Sequence, residues 1–165
     1  MIGVILQYGY GDQMDYTIKN NMKVFTKFIL EYLSLPDNAK AFTIIKPGFL
    51  KYRDEIYQYI TNKGFIMHDH TNPMILSKKQ TEDLYNCHKN EDWYEDLCKY
   101  MRSGEIEAAI WVFDSEKNPN INTISLMKDI KHHFRDKYGK SEMKNCMHSS
   151  DSLENVQREG KIIFN

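Results

Sequence analysis

The stretch Ile106-Glu107-Ala108-Ala109-Ile110-Trp111-Val112-Phe113 decides the fold class of this chain. Every second residue of this run, starting with Ile106, is apolar, whereas the residues between them include Glu107. Side chains of a β-strand point alternately to opposite faces of the sheet, so the pattern predicts a strand with one strictly apolar face. Earlier in the chain, the short run Phe42-Thr43-Ile44-Ile45 is rich in β-branched residues, which predicts a second, buried strand.

The segments around these two strands alternate between helical and extended patterns. The predicted elements are strands at 42–45, 65–76, 106–113 and 145–148, and helices at 52–63, from 78, at 93–102, at 124–138 and from 153. Gly64 and Ser77 stand where caps are expected. The run Ser149-Ser150-Asp151-Ser152 supplies several possible caps for the last helix, and Asp151 with Glu154 resembles a capping box. This order predicts an α+β fold, a ferredoxin-like split βαβ antiparallel sheet covered by helices.

The polar, breaker-rich stretch Leu35-Pro36-Asp37-Asn38-Ala39-Lys40 divides the chain. It predicts an N-terminal extension at 1–40 and a main domain at 41–165. The extension reads as an arm at 1–8 followed by an amphipathic helix at 16–35. This helix packs either on the main domain or on a second subunit; a membrane-surface helix is the alternative, against which its thin basic face argues.

The composition excludes several classes of protein. The 165 residues are 41% hydrophobic and 27% charged, which is typical of one soluble globular domain. A net charge of -1 argues against a broad basic surface for nucleic acid, and no apolar run approaches the roughly 20 residues of a membrane helix. The three cysteines show no CxxC spacing, so we expect neither a disulfide framework nor a zinc ribbon. Because the sequence shows no disulfide framework, we expect a cytoplasmic location.

The run His68-Asp69-His70 is a candidate metal site. Two imidazoles spaced two residues apart on a strand would share a face. Zinc needs three or four protein ligands, and the sequence offers no convincing third. We therefore predict no metal site on the protein itself.

The sharpest local feature is Lys144-Asn145-Cys146-Met147-His148-Ser149-Ser150-Asp151-Ser152. His148 would end a strand and face the start of a helix, where backbone N–H groups and the helix dipole favour anions. A neutral imidazole there is suited to attack an electrophilic phosphorus, and Glu159, eleven residues later, is placed to hold one ring nitrogen. Lys46 and Arg135, each near the end of an element, suit phosphate oxygens. A structural strand-end histidine and two solvated surface charges are the alternative interpretation.

Together these blocks resemble the nucleoside diphosphate kinase family. The resemblance runs from about Ala41 to Phe164 and rests on Phe42-Thr43-Ile44-Ile45-Lys46-Pro47, Lys63-Gly64-Phe65, Tyr100-Met101-Arg102-Ser103-Gly104 and the run from Asn145 to Ser152 with Arg158-Glu159. The last of these is close to the family's active-site signature, Asn-x-x-His-Gly-Ser-Asp-Ser.

The resemblance implies a role for each matching residue. His148 would be the nucleophile that becomes phosphohistidine, Glu159 would orient it, and Ser150 would hydrogen-bond in the same cluster. The residues implied to contact phosphates and sugar are Lys46, Tyr85, Arg135 and Asn145. Trp93 stands where the family has a Phe that stacks on the base, with Leu97 one turn later.

The chain also departs from the family pattern. The motif Lys-Pro-Asp-Gly is here Lys46-Pro47-Gly48-Phe49, and Ser149 replaces the Gly after the histidine. The stretch from 113 to 125 is shorter than usual, and the family's Arg and Thr phosphate ligands have no clear counterpart there. The nearest substitutes are Lys117, Thr123 and Ser125. We therefore expect weaker nucleotide binding than in a site that has both ligands.

The function that the resemblance implies is transfer of the γ-phosphoryl group of a nucleoside triphosphate to a nucleoside diphosphate by a ping-pong mechanism. Mg²⁺ would arrive with the nucleotide, and the chain would form a homo-oligomer without nucleic-acid or membrane partners. One alternative is a nucleotide-binding or regulatory module with little or no turnover. Another is an interaction protein whose N-terminal helix is the functional part.

Overall fold

The computed structural model describes residues 40–113 and 120–164. Within these residues the elements are β1 (Lys40–Ile45), α1 (Arg53–Asn62), β2 (Phe65–His70), α2 (Lys78–Leu84), α3 (Tyr94–Met101), β3 (Glu107–Phe113), α4 (Thr123–Tyr138), β4 (Met147–Ser149) and α5 (Leu153–Phe164), with short 3-10 turns at Leu50–Tyr52 and Asn86–His88. The arm predicted at 1–8 and the helix predicted at 16–35 lie outside the described residues, as does Lys117.

The four strands of the described residues form one antiparallel sheet in the order β2-β3-β1-β4. β1 is central: it pairs with β3, where Phe42 faces Ile110, and with β4, where Ile44 faces His148. The two central strands come from the first half and the middle of the chain, as the split βαβ arrangement requires. The predicted α+β fold class is confirmed.

Helices cover both faces of the sheet, and this makes β3 more buried than its sequence predicted. Trp111 and Phe113 pack under α1 and α4, whereas Ile106 and Ala108 belong to the core on the opposite face, with residues of α2, α3 and α5. The predicted apolar face is therefore only half of the buried surface. Trp111 is fully buried, and its indole N–H donates to Thr43 Oγ1 at 2.9 Å.

Two helix ends have the predicted caps, and at a third the cap is a different residue from the one that resembled a capping box. Gly64 follows α1 with a φ of +99°, a conformation that favours glycine. Ser77 caps α2 in a full capping box with Gln80. At α5 the cap is Ser152, whose hydroxyl accepts from the N–H of Asn155 at 3.1 Å, and Asp151 instead pairs with a lysine.

The second predicted strand is much shorter than expected. β2 ends at His70, and Met74 adds only an isolated bridge to Ile106. The pairing register shifts between Met67 and Asp69, so a bulge interrupts the regular alternation of side chains. The two imidazoles of the His68-Asp69-His70 run therefore do not share a regular strand face.

None of the helices in the described part of the chain is both long enough and apolar enough to cross a membrane.

Candidate active site

A cleft of about 440 Å³ opens beside β4, between α3, α4 and α5. Residues far apart in the sequence meet there because β1, β4 and the ends of α2 and α5 lie side by side. The residues predicted for the site that line this cleft are Lys46, Tyr85, Trp93, Leu97, Arg135, His148 and Glu159. The other two, Asn145 and Ser150, are buried next to it.

His148, Ser150 and Glu159 form one hydrogen-bonded cluster. His148 lies in β4, and Glu159 lies on the buried side of α5, with 4% of its surface exposed. The ring Nε2 of His148 lies 2.7 Å from Glu159 Oε2, and the Ser150 hydroxyl donates to the same oxygen at 2.6 Å. A carboxylate only accepts, so it places the ring proton on Nε2. Nδ1 then carries the free lone pair.

Two aromatic rings fix the plane of the His148 ring. Phe42 and Tyr85 both meet it edge-on, with ring centroids 6.5 Å and 6.1 Å away. The side chain is only 17% exposed, so the ring has little room to rotate. A rigid ring with one nitrogen engaged presents its other nitrogen in one direction.

Arg158 supports the carboxylate of Glu159 from the other side. Its guanidinium contacts Glu159 Oε1 at 3.1 Å and donates to the Asp83 carbonyl at 2.7 Å, at the end of α2. Burial opposes ionisation of Glu159, but the His148 ring and the hydrogen bonds from His148 and Ser150 hold its pKa below the usual value. Glu159 is therefore ionised when it holds the imidazole. We refer to His148, Ser150, Arg158 and Glu159 as the histidine cluster.

Three cationic side chains line the cleft near the histidine cluster. Lys46 donates to the Met143 carbonyl at 3.0 Å, and the Nε of Arg135 donates to the Met147 carbonyl at 3.1 Å. The third is Lys131, one turn before Arg135 on α4. Burial, together with the charges of Arg135 and Lys131, lowers the pKa of Lys46 to about 7. We call these three residues the cation group; it favours an anionic ligand.

Trp93 forms a partly exposed wall of the cleft. Its surface is 42% exposed, and the ring centroid of His88 lies 4.9 Å from its own. Leu97, one turn further along α3, is buried beneath it. A large, half-open aromatic face of this kind suits stacking with a planar ligand.

Asn145 occupies a supporting position and does not line the cleft. It is 2% exposed, and its amide donates to the Glu142 carbonyl. That bond shapes the loop whose Met143 carbonyl accepts from Lys46. The contact of Asn145 with phosphate or sugar that the resemblance implies stays a prediction.

The chain is also similar to known proteins. A family model described as nucleoside diphosphate kinase matches residues 39–165. The chain belongs to the nucleoside diphosphate kinase family. Membership indicates nucleotide phosphotransfer as the general class of chemistry.

Individual relatives in this family are distant. The nucleoside diphosphate kinase of Persephonella marina is 28% identical over 133 residues, which cover 73% of this chain and 89% of that protein. Thioredoxin domain-containing protein 6 of Xenopus laevis is 28% identical over 153 residues, covering 87% of this chain but only 24% of that protein. The crystal structure of the nucleoside diphosphate kinase of Encephalitozoon cuniculi is 26% identical, with a TM-score of 0.62 over 76% of this chain and 88% of that one.

The family's Arg and Thr phosphate ligands have no clear counterpart in the shortened stretch. The nearest substitutes among the described residues, Thr123 and Ser125, do not replace them. The Thr123 hydroxyl donates a hydrogen bond to the Lys40 carbonyl at 3.2 Å. Ser125 is exposed, and its backbone N–H donates to the side-chain oxygen of Asn122. Neither side chain lines the cleft.

The cleft residues that were not predicted for the site include the charged side chains Lys131, Asp151 and Arg158. The place of Lys131 in the cleft could have been predicted from the sequence, because a residue four positions before Arg135 on the same helix lies on the same helix face. Arg158 stands next to Glu159 and is one of only four arginines. Asp151 was assigned to a helix cap, and its contact with Lys131 joins residues 20 positions apart.

Proposed function

We propose that this chain transfers the γ-phosphoryl group of a nucleoside triphosphate to a nucleoside diphosphate through a phosphohistidine at His148. The observation that carries the proposal is the 2.7 Å contact between His148 Nε2 and Glu159 in a cleft lined by cations. This contact leaves Nδ1 unprotonated, which is the state that a nucleophile needs.

The proposed reaction has two steps that mirror each other. In the first, the Nδ1 lone pair of His148 attacks the γ-phosphorus, and a P–N bond forms. The bond to the oxygen that bridges the β- and γ-phosphorus breaks, and its electron pair leaves with the nucleoside diphosphate. In the second, a β-phosphate oxygen of the acceptor attacks the phosphorus, and the P–N electrons return to Nδ1.

Glu159 has a clear part in both steps. The ring gains positive charge when Nδ1 bonds to phosphorus, and the ionised carboxylate on Nε2 stabilises that charge. Ser150 and Arg158 hold both oxygens of the carboxylate in place. The nucleophile is therefore oriented before the nucleotide arrives, which lowers the entropic part of the barrier.

The cation group offsets the charge of the polyphosphate. Phosphoryl transfer depends mostly on positioning and on neutralising phosphate oxygens, and Lys46 and Arg135 are suited to both. Among residues 40–113 and 120–164, no group of three or more His, Cys, Asp or Glu side chains could hold a metal ion. As the resemblance implies, Mg²⁺ would arrive with the nucleotide and would supply neutralisation of phosphate charge.

Trp93 is proposed to stack on the base. Stacking uses the π-face that every base has and reads no hydrogen-bonding edge, so it supports broad nucleotide specificity. Tyr85 and Asn145 are proposed to complete the contacts around phosphate and sugar, as the resemblance implies.

We also propose a cytoplasmic homo-oligomer with a separate N-terminal extension at 1–40. The cytoplasmic location is supported by three free cysteines, of which Cys98 and Cys146 are buried. Burial raises the pKa of Cys146 to about 11, which argues for a packing role so close to His148.

Trapping of the phosphoenzyme tests the proposal. The protein is incubated with ATP labelled at the γ-phosphate and quenched at alkaline pH, where phosphohistidine survives. We expect acid-labile label on the protein that is discharged by added nucleoside diphosphate and recovered as triphosphate. A protein that binds ADP but never becomes labelled would instead be a nucleotide-binding module without turnover.

A further inference from the structure

Lys131 is a buried cation, and within residues 40–113 and 120–164 the one side chain that pairs with its ammonium group is an exposed carboxylate. It lies on α4, where its side chain is 7% exposed, and its Nζ lies 2.9 Å from Asp151 Oδ1. The Asp151 side chain is 69% exposed. A buried charge needs a partner, whereas an exposed carboxylate is already solvated by water. The pair is therefore unequal: Lys131 depends on Asp151 far more than Asp151 depends on Lys131.

The surroundings of Lys131 hold little other negative charge. Among the carboxylates that line the cleft, Glu159 is already engaged by His148, Ser150 and Arg158. Glu142 is exposed to solvent. The positive charge of Lys131 also disfavours the charged form of Lys46. An anion that entered the cleft would thus relieve repulsion within the cation group and partner Lys131 at the same time.

We propose that Lys131 is a phosphate-binding residue of this site, and that Asp151 holds its ammonium group until nucleotide phosphate replaces the carboxylate. This inference rests on the proposed function, because it takes the cleft to be the nucleotide site. The exchange is favourable because Asp151 can turn into water, while Lys131 exchanges one carboxylate for a phosphate that carries more charge.

Lys131 also fits the departure of this chain from its family. The stretch from 113 to 125 has no clear counterpart of the family's Arg and Thr ligands, and Thr123 and Ser125 do not line the cleft. Lys131 does line it, from the same face of α4 as Arg135. A cation on a helix would thus supply phosphate contacts that the shortened stretch lacks.

Calorimetric titration with ADP tests this role in two matched pairs of proteins. The first pair is wild type and Lys131→Met, which keeps the length of the side chain and removes its charge. The second pair is Asp151→Asn and the double variant Lys131→Met/Asp151→Asn, which differ only at Lys131, so that the removal of Lys131 leaves no unpaired carboxylate at residue 151. In each pair we expect the loss of Lys131 to weaken ADP binding by about tenfold or more, as for a lost charge-assisted contact.

Two controls separate a phosphate contact from a structural effect. Lys128→Met removes an exposed lysine of the same helix that does not line the cleft, and it should leave ADP affinity within about twofold. Binding of adenosine, followed by Trp93 fluorescence, should be unchanged by Lys131→Met because adenosine has no phosphate. A distorted cleft would weaken adenosine and ADP together.

The outcomes distinguish this inference from the proposed function. Equal ADP affinity within either pair overturns the role of Lys131 and leaves the proposed function intact. Equal weakening of ADP and adenosine also overturns it, in favour of a structural role. If wild type does not bind ADP at all, both proposals fail. Should one Lys131 variant not fold, the other pair still decides.

Discussion

The histidine cluster and the wall formed by Trp93 lie in one cleft but differ in how completely their groups are engaged. In the histidine cluster, Glu159 uses both carboxylate oxygens, and the His148 ring has one nitrogen bonded and two aromatic edges against it. Trp93 is 42% exposed, and its closest aromatic neighbour is the His88 ring. Rigid geometry is thus concentrated where a bond would form and break, and an adaptable surface is left where only stacking is needed.

This difference has a physical basis. A nucleophile gains from fixed orientation, because a misplaced ring raises the barrier of the chemical step. A stacking side chain that accepts several bases gains nothing from a rigid polar frame. Changes in the histidine cluster should therefore act on turnover, and changes at Trp93 should act on affinity.

The largest effect is expected from His148→Ala. The variant should fold, because the ring is part of the cleft and not of either hydrophobic core, but it should form no phosphoenzyme and transfer no phosphate. Phosphoenzyme trapping and a coupled transfer assay measure this. His132→Ala, which changes an exposed histidine of α4, is the matched control and should keep full activity. Transfer by His148→Ala at a rate near that of wild type would assign the nucleophile to another residue.

The next effect concerns the cation group and pH. The pKa of Lys46 is about 7 in the free protein, below its usual 10.5, so above pH 7 this lysine is increasingly neutral. Bound phosphate favours the ammonium form and raises this pKa, so binding takes up a proton. ADP affinity should therefore fall as pH rises, by up to about tenfold per pH unit between roughly pH 7.5 and 9.5.

Calorimetry in two buffers of different ionisation enthalpy measures that proton directly. Lys46→Met should abolish the uptake and flatten the pH dependence, whereas Lys140→Met, a change of an exposed lysine, should alter neither. Affinity that is constant across this pH range in wild type would mean that Lys46 does not meet the phosphates. Such a result would mean that the cation group does not bind the nucleotide through Lys46.

A smaller effect is expected at Trp93. Trp93→Ala should weaken purine and pyrimidine nucleotides alike, by about 1–2 kcal/mol, the lower part of the range for stacking, because one face of the ring stays in water. It should also remove most of the nucleotide-dependent change in fluorescence. Trp111 is fully buried and bonded to Thr43, so Trp111→Phe should leave that change intact. A variant that discriminates sharply among bases would contradict stacking.

Local and periodic signals in the sequence were enough for most of the fold. Apolar alternation located β3, and Ser77 and Gly64 marked helix ends because their caps depend only on neighbouring residues. The predicted end of β2 was wrong because a strand ends where its partner strand stops pairing with it. The local sequence pattern holds no information about where that pairing stops. The extent of burial on the second face of β3 could not be predicted from the alternation for a related reason, since only the tertiary structure shows that helices cover both faces of the sheet.

The candidate site likewise contains some residues that could be predicted from the sequence and others that could not. His148 and Glu159 were predicted from their positions in the sequence and Ser150 from the family resemblance, and the structure brings the three side chains within hydrogen-bonding distance. Lys131 was missed because a lysine on an amphipathic helix is normally exposed, and its burial follows from how α4 packs against β4. Asp151 looked like a helix cap because the choice between Asp151 and Ser152 depends on the path of the chain after β4.

The smallest effect is expected at Ser149, which lies beside the histidine cluster without belonging to it. Ser149 is fully buried, and among the described residues its hydroxyl has no hydrogen-bond partner. Ser149→Ala removes that unsatisfied group at little loss of packing, so it should leave stability unchanged or raise it by up to about 1 kcal/mol. Ser150→Ala is the matched control one residue later: it removes the hydroxyl bonded to Glu159, so it should lower the free energy of unfolding by ~1.5–3 kcal/mol and slow transfer. Denaturant unfolding measures both changes. If Ser149→Ala destabilises the protein as much as Ser150→Ala does, the Ser149 hydroxyl has a partner, and the boundary of the histidine cluster must be extended to include it.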